Sequence, residues 1–157
     1  MKVPWPKILR GAVRIAVGAV LVAAGLLKLA RPLEFHADLL AYGLPLPEAA
    51  WRFVAVIFPW VEVLGGAAFA AGVWPETVGV LVVTMALVFV GLLGQALVRG
   101  LDLQCGCFGA AGAELFGHPV AALGRAVLIL VAAGWLLCPP PPYPSRDYPL
   151  GVETPRR

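Results

Sequence analysis

Four long apolar runs dictate what this chain can fold into. They lie at about residues 8–30, 51–73, 77–98 and 119–138, each built from Ala, Val, Leu, Ile, Gly and Phe with few interrupting charges. At a rise of about 1.5 Å per residue, about 20 residues cross a hydrocarbon layer of about 30 Å. Inside that layer a helix satisfies all its backbone N–H and C=O groups within its own segment. The runs therefore predict an all-α fold, an integral membrane four-helix bundle. Of the 157 residues 61% are hydrophobic and only 13% charged, against roughly a quarter charged in soluble domains, which excludes a water-soluble globule.

The breaks between runs carry their own chemistry. Arg31-Pro32 ends the first run, because proline lacks an amide donor and disfavours helical geometry in the residue before it. That run is longer than the apolar core of a signal peptide, about 7 to 15 residues, so it is expected to remain as a span. Residues 31–51 form a polar connection with a short amphipathic helix near Glu34 to Ala41. Val73-Trp74-Pro75-Glu76 is so tight a turn that the second and third spans should be antiparallel neighbours. Pro139 to Pro142 stops the fourth span and opens a proline-rich tail, 139–157. Small residues recur within the runs at Gly18, Gly25, Gly65 and Gly66, as expected where helix backbones approach closely in lipid.

Cations orient the bundle. Lys2, Lys7, Arg10, Arg14, Arg146, Arg156 and Arg157 lie on the side of the two termini, and only Arg31, Arg52 and Arg99 on the other. The positive-inside rule places both termini in the cytoplasm and residues 99–118 on the outer face of a bacterial cytoplasmic membrane. Because the cations cluster at the ends of apolar runs and form no stripe, the lipid bilayer is the expected partner and nucleic acid is not.

Within the outer loop lies Cys105-Gly106-Cys107. Two thiols with one glycine between them are a redox pair, part of a metal site, or inert structure. A disulfide between them needs Cα atoms roughly 4.4 to 6.8 Å apart, which a non-helical segment with a central glycine can supply. A ring that small is expected to be strained, and strained, exposed disulfides are the exchangeable ones. Disulfides also persist outside the cytosol. For a metal, only Asp102, Glu114 and His118 lie near in sequence, a poor match to four-ligand zinc spacing, so no metal is assigned. Cys138 sits at the far end of the fourth span, about 28 Å away along a helix, out of reach of the pair.

A second group lies inside the spans. Lys28, Glu62, Gln95 and Arg125 interrupt four different runs, and ionisable groups in lipid are costly enough to pair or to serve a function. Counted from the outer ends, Lys28 lies about 4 Å deep, Gln95 about 6 Å, Arg125 about 9 Å and Glu62 about 16 Å. Lys28 and Arg125 are shallow enough to snorkel to the surface, whereas Glu62 is not and should pair with one of them. The four are expected to line a polar pocket able to accept a quinone ring or a peptide group.

Three stretches carry a family resemblance. They are Ala24-Gly25-Leu26-Leu27-Lys28-Leu29 with Pro32 and Phe35; Pro59-Trp60-Val61-Glu62-Val63-Leu64-Gly65-Gly66; and Arg99-Gly100 followed by Cys105-Gly106-Cys107-Phe108-Gly109. Together they resemble the MauE branch of the DoxX-like membrane proteins over roughly residues 10–137. The resemblance implies a four-helix membrane protein linked to methylamine utilisation, disulfide formation in the maturing small subunit of methylamine dehydrogenase, and a thioredoxin-like partner. It also implies that Cys105 and Cys107 are the redox pair and Lys28 and Glu62 the intramembrane polar positions. Quinone-linked enzymes resembling DsbB or vitamin K epoxide reductase relay electrons through a second cysteine pair, which this chain lacks.

The expected function is thus a membrane thiol-disulfide oxidoreductase, exchanging disulfides with a secreted client or a thioredoxin-like partner. Two other classes compete: a non-enzymatic assembly factor for a periplasmic enzyme, and a small quinone- or lipid-binding or transport bundle.

Overall fold

A computed structural model of the chain describes residues 5–100 and 119–138. The described residues form five helices: α1 (Trp5–Ala30), α2 (Pro32–Ala41), α3 (Glu48–Ala71), α4 (Pro75–Val98) and α5 (Pro119–Leu137), with no strand among them. Four of the helices contain stretches long and apolar enough to cross a membrane, at Lys7–Ala30, Glu48–Ala71, Pro75–Val98 and Val120–Leu137. The short α2 lies between the first two.

Local chemistry sets the boundaries. Pro47 is extended, with φ −62° and ψ 145°, and launches α3 at Glu48, a carboxylate placed in the first turn where the helix dipole favours it. At its other end the amide of Val73 bonds the carbonyl of Ala68 at 3.0 Å, and that of Gly72 bonds Phe69 at 3.1 Å. This paired closure needs a left-handed residue, supplied by Gly72 at φ 74°. Trp74 also has positive φ, 42°, an unfavourable conformation for a side chain of that size, and Pro75 then starts α4 at a position where its missing amide costs nothing.

The closest helix pairs are α1 with α3 and α4 with α5. The short turn led us to expect α3 and α4 as principal neighbours; they do touch, but far less extensively. Glycine placement explains the difference. A Cβ on Gly18 would come 2.5 Å from the Gly66 carbonyl oxygen, one on Gly66 would come 2.8 Å from that of Gly18, and one on Gly25 would come 2.8 Å from that of Pro59. The two backbones therefore touch along the Gly18–Gly25 face, and dispersion, which holds helices together in lipid, is greatest there. Across the α3–α4 face a Cβ on Gly65 would make only ordinary contact with Leu81, at 3.5 Å.

Where the pairs meet, Val17, Leu21, Phe69, Val78, Val82 and Ala133 form a shared core from α1, α3, α4 and α5. A second core, Phe35, Leu39, Trp51 and Ala55, fixes α2 on α3. Large apolar side chains such as Ile15, Phe53, Leu64 and Leu128 remain exposed, as lipid-facing residues do. Trp60, near the midpoint of α3, is one of these, whereas Trp74 at a helix end has the interfacial placement expected of tryptophan.

Arginines close the helix ends on the side of the chain's N-terminus. Arg10 donates to the carbonyls of Leu136 at 2.5 Å and Cys138 at 2.8 Å, and its guanidinium lies 5.2 Å from the ring centre of Trp135. A Cβ on Gly72 would fall onto the Arg14 guanidinium, so that cation sits on the C-terminus of α3, where the dipole is negative. The contacts at Gly66 generate a prediction. Gly66→Val should destabilise the bundle by about 1–3 kcal/mol or more. Gly91→Val, at a position with nothing within 4 Å, should change stability by less than about 0.5 kcal/mol. Detergent-titrated unfolding followed by circular dichroism measures both.

Candidate functional site

The α1–α3 crossing brings two charges together. Lys28 lies one turn beyond Gly25 and Glu62 one turn beyond Pro59, so the backbone contact between Gly25 and Pro59 sets their side chains face to face. Lys28 Nζ donates to Glu62 Oε2 at 2.5 Å, with the two side chains 1% and 4% exposed. Lys28 therefore does not snorkel. Of the two cations the sequence offers Glu62, the structure pairs it with this one. Charges withdrawn from water this completely are tolerable only when each compensates the other.

Aromatic rings complete the surroundings of the ammonium. The ring centres of Phe35 on α2, Phe58 on α3 and Phe89 on α4 lie 5.5, 5.5 and 5.3 Å from Nζ. Phe58 is itself packed against Phe35 at 6.3 Å and Phe89 at 5.5 Å. Ring faces carry negative quadrupole density, so three of them around a desolvated cation replace part of its lost hydration. Nothing in the sequence marked these phenylalanines beyond the place of Phe35 in the family-like motif. In an apolar span a phenylalanine facing a cation and one facing lipid read alike.

Two cavities meet at this pair. A small one of about 50 Å³ lies among α1, α3, α4 and α5, and Lys28, Glu62 and Arg125 all line it. Three of the four expected intramembrane polar residues thus converge. Gln95, on α4, is half-buried and is not among the residues lining that cavity. The larger, of about 340 Å³, lies among α2, α3 and α4 and is lined by Lys28 and Phe89 from its inner side, with Asp38, Tyr42 and Trp51 also on its walls. Lys28 and Phe89 line both, so they form the partition.

Asp38 was not singled out by sequence because α2 reads as an ordinary connection. Partial burial, and next the nearby Glu34 charge, hold its carboxyl above the usual carboxylate range. Arg99, directly after α4, donates to the Tyr42 carbonyl at 3.2 Å and so ties the end of α4 to the end of α2. Cys105 and Cys107, with Asp102, Glu114 and His118, lie outside the described residues. Cys138 is exposed just after α5, at the end opposite Pro119.

The family model described as methylamine utilisation protein MauE matches residues 6–139 of the chain. Neither the curated proteins nor the solved structures gave a significant match.

The geometry of the pair predicts an asymmetric mutational response. Lys28→Met leaves a buried carboxyl without its cation and should cost about 3–5 kcal/mol, whereas Lys28→Met combined with Glu62→Leu should recover most of that loss. Unfolding of the two variants and of Glu62→Leu alone closes the cycle.

Proposed function

From the premise that the chain belongs to the MauE family of methylamine utilisation proteins, we propose that it is a membrane thiol-disulfide oxidoreductase whose exchanging groups are Cys105 and Cys107. Family and fold together make it a multi-pass membrane protein of methylamine utilisation. The observation that carries the finer reading is one of connectivity. Residues 101–118 join the C-terminus of α4 to the N-terminus of α5, and Lys28, near the C-terminus of α1, and half-buried Arg125, in the N-terminal half of α5, lie towards that end of the bundle and line one cavity with buried Glu62. The only two cysteines close together in the sequence therefore follow directly on the end of the bundle that carries its unusual chemistry.

The exchange is written as follows. A client thiolate attacks one sulfur of the Cys105–Cys107 disulfide, the S–S bond breaks, and a mixed disulfide forms. The second client thiolate attacks the client sulfur of that bond, closes the client disulfide and leaves both Cys105 and Cys107 reduced. Two electrons and two protons pass to the pair. With a thioredoxin-like partner the same steps run on the partner's cysteines.

The reading includes an orientation. Lys7, Arg10 and Arg14 gather at one end around a cavity whose only acidic lining residue among those described is Glu76. At the other end Arg31 and Arg52 pair with Glu34 and Glu48, at 3.3 and 2.6 Å. The positive-inside rule supports a cytoplasmic location for the first end and for the 139–157 tail, and the outer face for the cysteine pair.

Alkylation-shift trapping in intact cells tests the proposal. A membrane-impermeant maleimide should label Cys105 and Cys107 only after reduction, and each single-cysteine variant should accumulate a mixed disulfide. Cys105→Ser/Cys107→Ser should abolish client oxidation; maturation of the client at the normal rate in that variant would sink the reading.

A further inference from the structure

The larger cavity is built for a ligand that the exchange chemistry alone does not require. Its volume of about 340 Å³ falls within the roughly 300–1,000 Å³ typical of small-molecule sites. Phe35, Phe58 and Phe89 surround its inner end, a surface suited to a flat ring. Lys28 reaches the same end. Its ammonium has three N–H groups; Glu62 is its one hydrogen-bond acceptor among the described residues, and three ring centres lie 5.3–5.5 Å from Nζ. An incoming oxygen would be a second acceptor. A second polar group, Asp38, stands on the wall formed by α2.

The rim says how the ligand arrives. Two lining residues, Leu46 and Val88, are 50% and 53% exposed, and Leu44 and Leu92 lie with them. Leu44 and Leu46 belong to the connection between α2 and α3, but Val88 and Leu92 are on the membrane-spanning α4, where an exposed apolar rim faces acyl chains, so the occupant enters beside α4 from lipid and leaves an apolar tail there. A flat ring, a carbonyl acceptor and an apolar tail together describe one class of molecule. We infer that the α2–α3–α4 cavity seats the ring of a lipid-soluble quinone, with Lys28 Nζ donating to one of its carbonyl oxygens.

This assignment rests on the proposed exchange function for its redox role. Reduction of the quinone to hydroquinone takes up two electrons and two protons. Closing the Cys105–Cys107 disulfide releases two electrons and two protons, so one quinone reoxidises one pair with no further reactant. The Asp38 carboxyl, whose pKa is raised by partial burial and next by the Glu34 charge, stands on the wall of the same cavity. In the sequence Cys105 follows six residues after Arg99, whose guanidinium donates to the carbonyl of Tyr42, a residue of the cavity wall.

The test uses the full-length chain in lipid nanodiscs and an azido-substituted short-chain ubiquinone as photolabel. In Cys105→Ser/Cys107→Ser, which needs no redox activity to bind, label should enter α2, α3 and α4 saturably. An unmodified short-chain ubiquinone should compete, and an isoprenoid alcohol of equal tail length should not. Val88→Phe, which narrows the mouth, should weaken labelling at least about ten-fold. Equal competition by the alcohol makes the cavity a general lipid site and overturns the inference, as does labelling that Val88→Phe leaves unchanged.

A second measurement separates this inference from the function it rests on. Reduced wild-type protein mixed anaerobically with the ubiquinone should yield one hydroquinone per disulfide closed. If the pair exchanges with a small dithiol yet forms no hydroquinone, the inference falls and the exchange function stands. If the quinone labels the cavity but the pair exchanges with nothing, the exchange function falls and the binding site stands.

Discussion

The buried contact between Lys28 and Glu62 is the interaction on which the rest of the arrangement depends. It joins α1 to α3 at the point where Gly25 lies against the Pro59 carbonyl, and its cation draws in phenylalanines from α2, α3 and α4. One ammonium thereby ties together four of the five described helices. Such a contact contributes little as a net gain in stability, because desolvating two charges offsets most of their attraction. What it supplies is specificity: any packing that parts Lys28 from Glu62 leaves two uncompensated charges in a medium that cannot solvate them.

Much of this was legible in the sequence, and the part that was not has a physical cause. Unbroken apolar length marks a span without any periodicity, so the four long helices could be read directly. That Glu62 requires a cation follows from its depth. Which cation does not, because Lys28 and Arg125 are equivalent until the backbone contact between Gly25 and Pro59 fixes how α1 and α3 cross. Helix pairing was harder still. Chain connection favoured α3 with α4, but the Gly18, Gly25 and Gly66 positions set the closest approach, and only their alignment across two helices reveals it. The phenyl cage was hidden because lipid and protein interior demand the same apolar residues.

The two cavities give the polar pair a different chemical meaning on each side. Towards the small cavity it presents the Lys28–Glu62 ion pair, with the Arg125 cation on the same lining. Towards the larger it presents ring faces and an ammonium bonded, among the described residues, to Glu62 alone. A partition made from one lysine and one phenylalanine is thin, and a change on either side is felt by the same ammonium.

The three-residue connection between α3 and α4 has a consequence for how the bundle is assembled. With only Gly72, Val73 and Trp74 between them, these two helices must enter the bilayer together as a hairpin. Yet α3 makes its closest fit to a helix synthesised earlier, and α4 to one synthesised later. The hairpin therefore arrives with one arm's partner waiting and the other's still on the ribosome. Until α5 is made, the α4 face that will carry Leu93 against Ala122 and Ala126 has only lipid to cover it.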